Sequence, residues 1–279
     1  MSVPDPATAR PAGEVLLVGC GKMGSALLAG WLERGVASGF SVVEPGSGAE
    51  AFAMRHAVKF YPDAVSLDLD LRPAVVVLAV KPQVMGDVVH HYRRFATPET
   101  VFLSIAAGKT LTFFSRQLGA EAAIVRAMPN TPAAIGRGIT VACPNPRANA
   151  AQIALCDRLL AAAGEVAWID DESLIDAVTA VSGSGPAYVF LLIECLAKAG
   201  MAAGLPAELA VRLARATVAG SGELARLSSE SAEILRQNVT SPGGTTRAAL
   251  DILMAPDGLE RLMVKAVAAA AARSRELAE

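Results

Sequence analysis

The sequence predicts an N-terminal doubly wound α/β sheet followed by an all-helical domain. Short apolar runs alternate with helical patterns in the first half, and a glycine-rich loop follows the first run. Strand signals disappear from about residue 171 onward. These observations divide the 279 residues into a tail over 1–13, an α/β domain over 14–170 and a helical domain over 171–279. The tail is rich in Pro and Ala and lacks the apolar core of a signal peptide.

The strands of the first domain are predicted from short runs rich in β-branched residues. They cover residues 14–19, 40–44, 74–80, 100–105 and 123–128. The run AVVVLAV at 74–80 has no polar residue, which is typical of a central parallel strand buried on both faces. Helical patterns at 23–34 and 49–56 complete the first two β–α units, so the alternation predicts a mainly parallel sheet.

The second half contains five helical patterns. They cover residues 184–203, 206–227, 232–237, 245–254 and 258–277. The apolar stretch 186–204 carries Glu194 and Lys198, so we interpret it as a buried helix and not as a membrane span. This helix is apolar nearly all round, and a domain as small as 171–279 offers limited cover for it. The pattern therefore indicates a homodimer in which a partner chain supplies the remaining cover.

Composition narrows the class of protein. Hydrophobic residues make up 53% of the chain, and the formal net charge of −2 argues against a nucleic-acid partner, which would need a basic face. The four cysteines are widely spaced and form no metal-type pair, so no metal site is predicted. We interpret them as reduced thiols of a cytoplasmic protein.

The loop GCGKMG follows the first strand and opens the first helix, as in a Rossmann-type dinucleotide site. The three glycines permit a tight turn, close approach of a pyrophosphate and helix–strand packing, and the helix N-terminus attracts the phosphates. The alternative is a glycine-rich turn without a ligand. The predicted cofactor-binding residues of this loop are Gly19, Cys20, Gly21, Lys22, Met23 and Gly24.

Two further strand ends are predicted to face the cofactor. Glu44 ends the second strand, where a carboxylate normally bonds the adenosine ribose and favours NADH over NADPH; the alternative is a solvated strand-end carboxylate. The segment AVKPQ ends the third predicted strand, and SIAAG ends the next with small residues that suit a flat ring. From these segments the predicted cofactor residues are Ala79, Val80, Lys81, Pro82, Ile105, Ala106 and Ala107.

The segment VTSPGGTT precedes the helical pattern TTRAALDIL and predicts a small-carboxylate site. Gly243, Gly244 and Thr245 can turn successive N–H groups toward one point at the helix N-terminus, and Ser241 and Thr246 add hydroxyl groups. The alternative is a plain Ser or Thr helix cap.

Three stretches, RAMPNTP at 126–132, VSGSGPAY at 181–188 and VTSPGGTT at 239–246, stand with GCGKMG and AVKP in one chain. On these motifs the chain resembles the pyrroline-5-carboxylate reductase family over roughly residues 14–275. The resemblance implies reduction of 1-pyrroline-5-carboxylate to proline with NADPH or NADH, and a dimer that assembles further in some members.

The resemblance also implies roles for particular residues. Thr246 is the hydroxyl at the substrate amine, and Asn238 contacts both substrate and cofactor. Glu172 and Glu230 match positions near the substrate amine, and each is otherwise an ordinary exposed carboxylate. The segment ESAEILRQN after Ser229 is one residue shorter than the usual family spacing.

The reaction chemistry agrees with the shortage of acid groups in the motifs. Reduction of a carbonyl needs a proton donor, whereas a protonated cyclic imine accepts hydride at carbon and becomes an amine directly. We therefore assign Thr246 positioning first and proton donation second. Two alternatives stay open: a β-hydroxy-acid dehydrogenase with Lys198 as its lysine, and a non-catalytic dinucleotide-sensing dimer.

Overall fold

The computed structural model describes residues 12–46 and 58–277, which form two compact units. The sheet unit comprises Met1–Gly183 and Ala271–Glu279, and the helical unit comprises Ser184–Ala270. This division differs from the predicted boundary near residue 170, because Ile175 packs in a buried cluster with Val141 and Cys143 of the sheet unit. The boundary at 170 stays a prediction about domains, as does the tail, of which residues 1–11 lie outside the described part.

The sheet unit is built on one eight-stranded sheet in the order β3-β2-β1-β4-β5-β6-β7-β8. All neighbouring pairs are parallel except β6 and β7, which are antiparallel. The predicted doubly wound α/β class is confirmed. The strands are β1 Ala12–Val18, β2 Ala37–Val43, β3 Lys59–Tyr61, β4 Val75–Leu78, β5 Val101–Ser104, β6 Ala123–Met128, β7 Gly138–Pro144 and β8 Gly164–Trp168.

Alternation along each strand divides the core between the two faces of the sheet. On β1, Val15 and Leu17 join one buried cluster, whereas Leu16 and Val18 join the other. Both faces of the central strands are covered, which explains why β4 reads as a continuous apolar run.

The helices of the sheet unit cover these two faces. They are α1 Lys22–Arg34, α2 Met85–Val89, α3 Leu111–Leu118, α4 Ala150–Ala161 and α5 Ile175–Val178, with short 3-10 turns at Pro82–Val84, His90–Phe95, Thr131–Ile135 and Glu172–Leu174. Gly35 ends α1 in the left-handed conformation, and Asn149 with Gln152 forms a capping box at α4. The helix predicted at 49–56 lies outside the described residues.

The helical unit and the chain that follows contain five helices. They are α6 Gly185–Ala202, α7 Ala207–Leu227, α8 Ala232–Asn238, α9 Thr245–Leu253 and α10 Leu259–Leu277, of which the end of α10 belongs to the sheet unit. These bounds agree closely with the predicted patterns. Only Ala197 of α6 is buried within the single chain, so burial of the apolar stretch 186–204 depends on the partner chain that the sequence predicts.

The helical stretch Glu172–Ala202 is long and apolar enough to cross a membrane by length and composition alone, and 11% of its most apolar window is buried. Its apolar side chains are therefore open to another surface.

Candidate active site

The glycine-rich loop after β1 has the geometry that each glycine was predicted to permit. Gly19 has a φ of +91°, and a Cβ there would lie 2.8 Å from the Ala79 carbonyl oxygen. A Cβ on Gly24 would collide with the Gly19 carbonyl, so helix and loop approach as closely as glycine allows. At Gly21 no atom lies within 4 Å of an added Cβ, which leaves room for a ligand to reach the backbone.

Glu44 is fixed against this loop. Its Oε2 accepts a hydrogen bond from the Cys20 backbone N–H at 2.7 Å, and its Oε1 accepts one from the Gly46 N–H at 3.0 Å. The carboxylate is therefore held in place at the end of β2 and is not freely solvated. Burial, with a smaller contribution from Glu44, raises the pKa of the Cys20 thiol, so this thiol stays protonated at neutral pH.

A cleft of about 500 Å³ opens beside the loop at the carboxyl ends of β1, β2 and β4. The strand order reverses between β1 and β4, and such a switch point is where open α/β sheets bind ligands. The predicted cofactor residues that line the cleft are Gly19, Gly21, Glu44, Ala79, Val80 and Lys81.

Other residues of the cleft were missed by sequence reasoning. They include Pro62, Ala64 and Val65 after the short strand β3, and Val84, Val88 and His91 from the helical segment beyond Lys81. The only signal for the first group was a three-residue strand, which is too short to show periodicity. The predicted residues Cys20, Lys22, Met23, Gly24 and Pro82 are close in sequence but do not line this cleft.

The turn after β5 lies beside β4 but outside the cleft lining. Ile105 donates its N–H to the Leu78 carbonyl at 3.1 Å, and Ile105 and Ala106 are buried. Ala107 is half-buried, so of the three predicted residues it is the one whose side chain reaches solvent.

Glu172 makes a partly buried ion pair with Arg126. Its Oε1 accepts from Arg126 Nη1 and from the Leu111 N–H, both at 2.7 Å. The Arg126 side chain is 4% exposed, so Glu172 compensates a buried charge and is not an ordinary exposed carboxylate. The predicted contact of Glu172 with the substrate amine stays a prediction.

The loop predicted to hold a carboxylate lies in the helical unit, before α9. Gly243 has a φ of +66°, Gly244 is the N-cap residue, and the Gly244 N–H donates to the Ser241 carbonyl at 3.0 Å. The first N–H groups of α9 have no acceptor within the helix and point toward its N-terminus. Ser241 and Thr245 are exposed, and Thr246 is half-buried. Helix N-terminus and turn together fit an anion.

Two other predicted residues of the helical unit meet. Asn238 Nδ2 donates to Glu230 Oε2 at 3.2 Å, across the length of α8. Both side chains are exposed in the single chain.

Comparison with known proteins decides the family. Residues 172–277 match the family model described as pyrroline-5-carboxylate reductase dimerisation, and residues 14–108 match one described as NADP oxidoreductase, coenzyme F420-dependent. Pyrroline-5-carboxylate reductase of Pseudomonas aeruginosa is 40% identical over 95% of this chain and 97% of its own. The chain belongs to the pyrroline-5-carboxylate reductase family. The enzyme of that name from Pisum sativum is 38% identical over 93% of this chain and 94% of its own.

Solved structures agree with this assignment. The fold resembles a pyrroline-5-carboxylate reductase from Coxiella burnetii with a TM-score of 0.88 and 34% identity, covering 95% of this chain and 98% of that one. It also resembles the pyrroline carboxylate reductase of Plasmodium falciparum, solved with NADP bound, with a TM-score of 0.80 and 29% identity over 95% and 98% of the two chains. The predicted reductase activity on pyrroline-5-carboxylate with a nicotinamide cofactor is confirmed, and neither alternative is favoured.

Proposed function

We propose that this reductase holds NADH or NADPH in the cleft of the sheet unit and holds 1-pyrroline-5-carboxylate by the loop 241–246. When bound, the reduced nicotinamide supplies the hydride that adds to the imine carbon and yields proline. The observation that carries the proposal is the paired occurrence of a glycine loop built for a dinucleotide and a second glycine turn built for a carboxylate.

The residues present in the cleft fit a dinucleotide. The open space at Gly21 and the N-terminus of α1 suit the pyrophosphate, and the Glu44 carboxylate suits a ribose hydroxyl. The remaining predicted cofactor residues are Ala79 to Pro82, Ile105 to Ala107 and Asn238.

The substrate offers one fixed negative charge, its carboxylate. The Gly244 N–H is engaged by the Ser241 carbonyl, so the donors left for the carboxylate are the Gly243 N–H and the first N–H groups of α9. The two glycines of the turn leave these groups unobstructed by side chains. Thr246 is the second residue of α9, and in this proposal its hydroxyl forms a hydrogen bond with the ring nitrogen of the substrate. Because the iminium form of the substrate already carries its proton, this hydroxyl positions the ring first and donates a proton second.

The experiment compares three variants of the loop region. Thr246→Ala should lower kcat/KM by roughly 10- to 100-fold, the loss of about 1.4 to 2.7 kcal/mol of positioning and hydrogen bonding. Gly244→Val should abolish proline binding in a titration, because a Cβ there already lies 3.2 Å from the Ser241 carbonyl oxygen. NADH affinity, followed by fluorescence, should stay largely intact in both.

Thr240→Ala is the matched control for Thr246→Ala. The Thr240 hydroxyl donates to the Arg236 carbonyl at 2.6 Å, so it is already engaged by the last turn of the preceding helix α8. Its loss should change kcat/KM by no more than about threefold. Normal proline binding by Gly244→Val, or a bound carboxylate on Arg126 or Lys81, would show that the loop has been assigned wrongly.

The helical unit provides the dimer interface of this proposal. Large apolar side chains of α6 and α7 are exposed in the single chain, and the segment matches a dimerisation family model. We propose the homodimer as the smallest active form. The widely separated free cysteines fit a cytoplasmic enzyme.

A further inference from the structure

Alternate residues at the end of β6 and just beyond it contact the segment that leads out of the sheet unit. This segment, residues 172–183, is called the connector here. Arg126, Met128 and Asn130 point to the same side, as the twofold period of an extended chain requires. The three residues belong to the RAMPNTP motif, and they meet the connector at its beginning and at its end.

The first contact fixes the beginning of the connector. Arg126 and the Leu111 N–H share Glu172 Oε1, so this carboxylate ties β6 and the start of α3 to the connector. Arg126 Nη2 is buried and has no hydrogen-bond partner among the described residues, so the guanidinium depends on Glu172.

The other two contacts fix the end of the connector. Asn130 Nδ2 donates to Ser182 Oγ at 3.3 Å, and Asn130 Oδ1 accepts from the Ile139 N–H at 3.0 Å. A Cβ on Gly183 would lie 2.5 Å from Met128 Cε, so this glycine permits the close approach. The helical unit begins at the next residue, Ser184.

The backbone between these contacts is a π-helical turn, Thr179–Gly183, directly after α5. Such turns are rare and occur often at functional sites. The Thr179 hydroxyl donates to the Ile175 carbonyl at 2.8 Å within the same segment. The wide turn places Ser182 beside Asn130 and Gly183 beside Met128.

The chain passes between the two units a second time at Ala270 and Ala271, and that crossing is also tied to the connector. Ser274 Oγ donates to Asp176 Oδ1 at 2.6 Å, and Ser274 is 7% exposed. One residue pair therefore anchors each crossing: Asn130 with Ser182 before the helical unit, and Asp176 with Ser274 after it.

The turn at the end of β5 is bounded by the same elements. Gly108 has a φ of +72°, and a Cβ there would lie 2.9 Å from the Leu277 carbonyl of α10. Leu111, three residues later, donates to Glu172. The proposed cofactor residues 105–107 come directly before these two contacts in the sequence.

We propose that Asn130 and Asp176 are positioning residues for the reduction. Each holds one of the two points at which the chain leaves or re-enters the sheet unit, and both act through the connector, which contacts Leu111 through Glu172. The proposal rests on the proposed function, because the substrate loop belongs to the helical unit and the cofactor cleft to the sheet unit. Neither residue touches the reacting atoms in this assignment.

The test removes the partner hydroxyls and leaves the positioning residues in place. Ser182→Ala and Ser274→Ala should each lower kcat by about 5-fold or more, and the double variant should lose more than either. The deuterium isotope effect on kcat, measured with reduced cofactor deuterated at C4, should rise because hydride transfer becomes slower than the other steps. Without any cofactor, amide exchange of residues 179–183 should become faster.

Ser173→Ala is the matched control, since Ser173 lies in the same connector and is exposed. It should leave kcat and the isotope effect within about twofold of the parent enzyme. The proposal is overturned if both test variants keep kcat within twofold, or if kcat falls while the isotope effect and amide exchange stay unchanged. Failure of the parent enzyme to reduce pyrroline-5-carboxylate would instead overturn the proposed function.

Discussion

The two units of this reductase bury their apolar residues to very different extents. In the sheet unit every residue of β4 is buried, and Trp31 of α1 is 0% exposed. In the helical unit α6 has 18 residues of high apolar content, yet only Ala197 is buried within the chain. Phe190, at 60% exposure, is the most exposed of its large apolar side chains.

The difference shows which unit is complete in one chain. The sheet unit covers both faces of its sheet and already forms the cleft and the tie between Glu44 and Cys20. The helical unit leaves an apolar surface that only another surface can remove from water. We therefore expect cofactor binding to belong to one chain and substrate turnover to depend on two.

The largest expected effect follows from a charge on the exposed face of α6. Phe190→Glu should convert the dimer to monomers by sedimentation at micromolar concentration and lower kcat/KM by more than about 100-fold. NADH binding, measured by fluorescence, should stay within about threefold because the cleft lies in the sheet unit. The control is Leu69→Glu, at an 88% exposed position of the sheet unit, which should remain dimeric and active. If the parent enzyme were itself a monomer, the inference that the helical unit needs a second chain would be wrong.

A second test measures how strongly the sheet unit depends on its own buried charge. Glu172→Ala leaves the Arg126 guanidinium buried without a carboxylate and should lower the free energy of unfolding by about 3 kcal/mol. Urea unfolding followed by tryptophan fluorescence reports this unit, since Trp31 and Trp168 are the two tryptophans of the chain.

The matched control breaks an exposed ion pair of the same unit. Glu121 lies 2.9 Å from Arg147, and both side chains are more than half exposed. Glu121→Ala should change the free energy of unfolding by less than about 1 kcal/mol. Equal losses of unfolding free energy in the two variants would show that burial of Arg126 adds nothing to the cost of breaking its ion pair.

The smallest expected effect concerns the choice between NADH and NADPH in the cleft of the sheet unit. Because Glu44 is held at the loop, NADH should be used at least as well as NADPH, and Glu44→Ser should shift the preference toward NADPH by about tenfold. The measurement is kcat/KM with each reduced cofactor for both proteins. A preference of the parent enzyme for NADPH above tenfold would contradict the role given to Glu44.

Sequence patterns predicted the elements whose periodicity is local. Strands β1, β2, β4, β5 and β6 were found because their β-branched runs are buried on both faces, and the five later helices agree within about two residues. Strand β8 was missed because its residues are at most half-buried, and its sequence GEVAW carries no strong run. Strand β7 was missed although GITVACP is apolar.

Contacts between residues far apart in the chain could not be predicted from the sequence patterns. The glycine roles at Gly19 and Gly24 follow from a local motif, whereas the pairing of Arg126 with Glu172 joins residues 46 positions apart. The π-turn and the pairing of Asn130 with Ser182 depend on how the connector packs, which no local pattern records. The exposure of α6 in one chain is compatible with the predicted homodimer, in which a second chain supplies the remaining cover.

The return of α10 to the sheet unit has a consequence for the way this protein can be divided. A truncated protein that ends at Gly183 lacks Ser274 and Leu277, the partners of Asp176 and of the turn at Gly108. Exchange of helical units between related enzymes must therefore replace residues 184–270 as an internal insert with two junctions. A simple head-to-tail fusion would separate the first unit from its own final turns.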